Sequence, residues 1–210
     1  MEELKQLTET LAVHEKNHDI DGLRSVREQI ARDYPESPEA VEAHYKLGLD
    51  ALFHKRDLAI AVQYFEQAVK GKQAFWAQAA RTSLGLCYYH QKRTQKALFE
   101  LRKVGYSDPP TAHSITALSF IEHIYGQAGE KEEVQRVRKD RISQLETVIE
   151  ACKHSHQHAE RGYHMYTLGL ALLDQGDDVE AKIVLEDTKN LGPDLLGAEL
   201  YKSVVEALKN

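Results

Sequence analysis

A Leu-Gly pair that recurs inside helix-forming sequence constrains this chain more than anything else in it. Leu47-Gly48 follows Tyr45-Lys46, Leu84-Gly85 follows Ser83, and Leu168-Gly169 follows Thr167. After each pair comes a second amphipathic segment with a small residue, a large apolar residue and often a proline. Units of this kind cannot bury their apolar faces alone, so each must stack on its neighbours. The expectation is an all-α fold, a right-handed solenoid of helix–turn–helix repeats, with no closed catalytic pocket.

Apolar spacing places eleven helices along the chain. The first is Glu2–Lys16, with Leu4, Leu7 and Leu11 on one stripe, and the second runs to Tyr34. Pro35 stops it, Ser37 is placed to cap the next helix, and Pro38 suits its first position. The third to sixth helices are expected at Pro38–His54, Asp57–Lys70, Phe75–Gln91 and Thr94–Val104. The seventh ends at Gly129 as a C-cap, and the eighth runs from Lys131 to about Lys153. The ninth ends at Gln175, the tenth before Leu191, and the eleventh, Asp194–Lys209, closes the chain as a capping helix. Nothing reads as a strand.

These residues resemble tetratricopeptide repeats, whose two-helix unit has Leu-Gly and Tyr in the first helix, Ala, a large apolar residue and Ala in the second, and Pro at the exit. Leu84, Gly85, Tyr88, Ala97, Leu101, Val104 and Pro109 fit that register, as do Leu168, Gly169, Gly176, Ala181, Leu185 and Pro193. Leu47, Gly48, Ala61, Phe65 and Ala68 fit with one extra residue in the inner turn. The unit holding Leu118, Ile121, Tyr125 and Val134 departs from the pattern: Glu122 stands where Gly is expected, and Arg138 and Arg141 replace apolar positions. The first unit keeps only Leu23, Ile30 and Pro35. One solenoid domain, 1–210, follows from the resemblance, with units 1–36, 37–73, 74–110, 111–157 and 158–193 and a cap at 194–210. The 37-residue spacing from Leu47 to Leu84 and from Leu84 to Ile121 is similar to that of bacterial repeat proteins.

The resemblance also implies a concave groove lined by the first helices, receiving a peptide, a helix or a small protein. Its register selects Tyr45, Leu49, Leu52 and Phe53, then Thr82, Leu86, Tyr89 and His90, then Ser119 and His123, then Tyr166, Leu170 and Leu173. This lining is aromatic and aliphatic, which suits an apolar partner face; the other reading is that several of these residues are core. No cation or amide occupies the positions of the family's carboxylate clamp.

Two further clusters stand out. Arg136, Arg138, Lys139 and Arg141 are candidates for an acidic partner, or else a solvated helix face balanced by Glu130, Glu132 and Glu133. His154, His156 and His158 are weak metal candidates, against a polar turn; no cofactor is expected.

Charge is uneven. Residues 1–70 hold 14 acids and 9 bases, residues 71–155 hold 9 and 13, and residues 156–210 hold 10 and 5. That layout argues against nucleic acid and leaves the middle open to an acidic protein. No apolar run nears the ~20 residues of a membrane span, and the acidic start does not resemble a signal peptide. Cys87 and Cys152 read as buried thiols. Nucleophile, phosphate-loop and zincin motifs are absent. The expected protein is therefore a non-enzymatic cytoplasmic adaptor or scaffold. Alternatives are self-association through the Leu4–Leu7–Leu11 stripe, and a ligand-responsive sensor at the His and Arg clusters.

Overall fold

The computed structural model describes residues 2–154 and 158–209. Among them are twelve α-helices and no strand. The chain divides into two compact units, residues 1–104 and 105–210.

The first unit contains α1 (Glu2–Lys16), α2 (Ile20–Asp33), α3 (Pro38–Phe53), α4 (Leu58–Ala68), α5 (Ala74–His90) and α6 (Thr94–Gly105, whose last residue opens the second unit). Short polar side chains fix where helices begin. The Asp19 carboxylate accepts from the Gly22 amide at 2.9 Å, and that bond holds its pKa below the usual carboxylate range. Ser37 accepts from the Ala40 amide at 3.1 Å, with Pro38 inside the first turn. Asp57 accepts from the Ala59 and Ile60 amides, both at 3.0 Å. Each such cap satisfies donors that the first helical turn leaves orphaned. Val26, Ile30, Ala40 and Ala43 form one core cluster, onto which the Leu4, Leu7 and Leu11 stripe of α1 packs. That stripe is half-buried within its own chain.

The second unit contains α7 (Ala112–Ala128), α8 (Lys131–Ala151), a 3-10 turn (Cys152–His154), α9 (His158–Gln175), α10 (Asp178–Asn190), α11 (Pro193–Leu196) and α12 (Ala198–Ala207). Thr111 and Ser114 cap α7 reciprocally, and Gly129, at φ 75°, ends it in the left-handed conformation. Ile115, Ile142, Leu145, Leu168, Ala171, Leu172 and Ala181 make its core. The expected single capping helix is two: Gly197 adopts φ 79° and breaks the run between α11 and α12. Leu196 and Val204 are buried on either side of that break.

The Leu-Gly pairs have a direct steric purpose. A Cβ on Gly48 would lie 2.5 Å from the Phe65 ring, one on Gly85 2.6 Å from Leu101, and one on Gly169 2.6 Å from Leu185. In each hairpin a large second-helix side chain rests on first-helix backbone. Phe65, Leu101 and Leu185 are almost completely buried as a result.

Candidate functional site

The α7–α8 hairpin solves the same packing problem differently. Glu122 takes the glycine position, and Arg138, sixteen residues on, takes the position that Leu101 holds relative to Gly85 and Leu185 relative to Gly169. Arg138 Nε donates to Glu122 Oε1 at 2.7 Å, and Arg141 Nε donates to Oε2 at 3.0 Å. Glu122 and Arg141 are buried. Arg138 also donates to the Asp174 carbonyl in the last turn of α9, one of the carbonyls a helix end leaves unsatisfied. The three departures from the repeat pattern are thus one compensated set. Arg138 and Arg141 are turned inward onto Glu122 rather than presented to a partner. Arg136, paired with Glu133, and Lys139 are the exposed members of that cluster.

The first unit carries the apolar candidates. Tyr45 is half-buried, its ring 5.3 Å from that of Trp76 and 6.0 Å from that of Phe65. Lys46 Nζ stands over Trp76 at 5.1 Å, and Phe75, exposed, meets Trp76 edge-on. Leu49 and Leu52 are half-buried, and Phe53 is 67% exposed. A cleft of about 330 Å³ between α2 and α3 brings Leu49 and Phe53 together with Ile20, Leu23, Arg27 and Lys46. Its wall is braced by Arg24, which donates to Asp50 at 2.8 Å and to Asp21 at 2.8 Å. The Arg24 hydrogen bond holds the Asp50 carboxyl below the usual carboxylate range. On α5, Leu86 and Tyr89 are half-buried and His90 is exposed. Thr82 is buried instead, its hydroxyl donating to the Gln78 carbonyl at 3.1 Å, so it is not displayed as a lining residue.

Ile20 and Arg27 were missed by the register, which assigns lining to first helices alone, and Lys46 because it stands on first helix α3 at a position the register does not select. The sign available was the N-terminal end of α2, where Ile20 is an apolar residue outside the buried stripe of Val26 and Ile30.

In the second unit Ser119 and His123 are exposed, Tyr166 and Leu173 are half-buried, and Leu170 is 36% exposed. Ser119 lines a cavity of about 230 Å³ with Thr116, Arg141, Tyr163 and His164. His164 is buried, and among the described residues neither ring nitrogen has a hydrogen-bond partner. Burial lowers its pKa, with Glu160 at 3.8 Å acting in the opposite direction. The unfolded chain therefore takes up the proton first as pH falls. This contribution to stability is present above the unfolded value of about 6.5 and is lost below it. The protection factors of α9 amides, which remove the intrinsic pH dependence of exchange, are expected to fall as pH drops below about 6.5, and His164→Leu to flatten that dependence.

His158 is exposed at the start of α9. His156 and the His154 side chain lie outside the described residues. Among the described residues no group of three or more His, Cys, Asp or Glu side chains could hold a metal. Cys87 and Cys152 are buried and neither forms a disulfide, and desolvation pushes the Cys87 thiol up to about 11, which suppresses the reactive thiolate. No helix among the described residues is long and apolar enough to cross a membrane.

Comparison with known proteins agrees with this architecture. A model of the tetratricopeptide repeat family matches residues 21–78 and 50–104. No curated relative matches the chain. Nearly identical TPR-like repeats from Podosopora anserina, 17% identical, superpose with a TM-score of 0.55 over 91% of this chain and 95% of that one. PilW, a type IV pilus biogenesis factor, is 16% identical with a TM-score of 0.54 over 95% of this chain and 81% of that one. BtubC from P. vanneervenii is 14% identical with a TM-score of 0.55 over 93% and 82%. At these identities the likeness is one of fold, an all-α solenoid.

Proposed function

We propose that this chain, a tetratricopeptide repeat protein, is a non-enzymatic adaptor that holds a segment of another protein on the faces of α3 and α5 in its first unit. Tetratricopeptide repeats generally mediate protein–protein interaction. The observation that carries the reading is the cleft between α2 and α3, where exposed Phe53 and Ile20 and half-buried Leu49 gather in one concavity. An apolar cleft with a few polar groups at its edge is a recognition surface for an amphipathic segment. Arg27 and Lys46 at the edge favour a segment with apolar anchors beside a carboxylate. Leu86 and Tyr89 extend the lining along α5. We place Ser119, His123, Tyr166 and Leu170 in the same role for the second unit, within a single repeat array. A cytoplasmic location belongs to the same proposal.

The test uses a partner captured from lysate and then purified. Leu49→Asp/Phe53→Asp is expected to weaken its binding by at least ~10-fold, with the helical circular dichroism spectrum unchanged. Affinity equal to wild type in the folded double variant refutes the assignment of this cleft.

A further inference from the structure

The outer faces of two second helices carry large exposed apolar side chains that neither the core nor the cleft uses. On α6, Phe99 is 60% exposed. Lys96, Phe99, Arg102 and Lys103 follow one another at helical spacing on one exposed face, and Lys92 extends it in the turn before. Lys103 Nζ stands 3.8 Å over the Phe99 ring. The helix's one carboxylate, Glu100, is half-buried, where it accepts from Arg81 at 2.7 Å and pairs at 3.2 Å with Lys103, the lysine over Phe99. Gln95, Leu98, Phe99, Arg102 and Lys103 line a shallow depression there.

The reciprocal chemistry stands on α10. Val179 is 79% exposed and Ile183 58% exposed. They sit four residues apart on one face, with Glu186 one turn further, Glu180 and Asp187 along one edge and Lys182 on the other. Asp177 and Asp178 add charge at the start of the helix. Residues 92–103 hold five bases and one acid, whereas residues 177–189 hold five acids and two bases. A basic face centred on an aromatic ring and an acidic face centred on two aliphatic side chains are complementary in both sign and apolar content.

We propose that copies of this chain associate head to tail, the Phe99 face of α6 in one copy receiving the Val179–Ile183 face of α10 in another. The two patches differ, so the contact is heterologous, and each copy offers one of each. Two single helix faces make a small interface, so association is weak and sensitive to salt. The basic α6 face is favoured over the cleft between α2 and α3 as the receiving surface because it has more cations and a single carboxylate, Glu100, whereas both Asp21 and Asp50 stand at the cleft. This inference is independent of the adaptor reading, since it uses other residues.

Sedimentation equilibrium of the full chain is the test. The average mass should rise above 23.9 kDa with concentration at low salt and return toward it in high salt. Phe99→Glu alone and Val179→Lys/Ile183→Lys alone should each stay monomeric. Mixed, they should pair one to one and grow no larger, because each supplies the patch the other lost. Leu49→Asp/Phe53→Asp should associate like wild type. Wild type that stays monomeric throughout overturns the proposal, including the case where it instead cosediments with phosphatidylserine vesicles through Phe99. So does association that survives Phe99→Glu, or a mixture that fails to pair.

Discussion

Glu122→Ala is expected to destabilise the second unit by about 3–5 kcal/mol, because it leaves two guanidiniums facing each other without their shared carboxylate. The side chains involved are 9–13% exposed, so water does little to screen the residual charge. Glu122→Gly, which restores the residue that repeat units use here, should fare no better, since Arg138 and Arg141 would still be unpaired. The set should instead behave as a unit. Glu122→Gly/Arg138→Leu/Arg141→Leu recreates the arrangement of Gly85 with Leu101 and of Gly169 with Leu185, and is expected to match or exceed wild-type stability. Native-state hydrogen exchange in α7 and α8 reads this locally, which suits repeat architectures that need not unfold in one step. A triple variant as unstable as Glu122→Ala would show that the ion triad is needed for more than filling the hairpin.

Phe65→Ala should cost the first unit about 3–5 kcal/mol, the usual effect of emptying a buried aromatic site. Phe65 is fully buried, and its ring rests on the Gly48 backbone. Gly48→Ala in the wild-type background is expected to destabilise by about 1–3 kcal/mol, since the added Cβ would stand 2.5 Å from the ring. In the Phe65→Ala background the sign should reverse. The methyl group would then enter a cavity, and alanine is better by up to about 1 kcal/mol than glycine inside a helix. Additive effects in urea unfolding of the four proteins would contradict direct Gly48–Phe65 contact.

Most of the fold could be read from periodicity and punctuation. Ser37, Pro38 and Gly129 mark helix ends in sequence and do so in the structure, because caps and breakers act through local backbone chemistry. Gly197 was missed because Leu195, Leu196 and Leu200 keep helical spacing across it, and spacing does not record a positive φ. Glu122, Arg138 and Arg141 were visible as three separate irregularities. Their mutual pairing becomes legible only when the sixteen-residue register between Gly85 and Leu101 is carried to residue 122. For the candidate site, register names positions along a first helix but not how far neighbouring side chains cover them. Hence Thr82 turned out buried, and Ile20, Arg27 and Lys46 joined Leu49 and Phe53 from outside the expected set.

The proposed adaptor role turns on where a partner touches the first unit. A photo-crosslinking amino acid at Phe53, exposed on α3, compared with one at Gln63, exposed on α4, reports that directly. The account predicts a covalent adduct with the bound partner from position 53 and none from position 63. An adduct from position 63, with none from position 53, would place the partner on the second-helix face and contradict it.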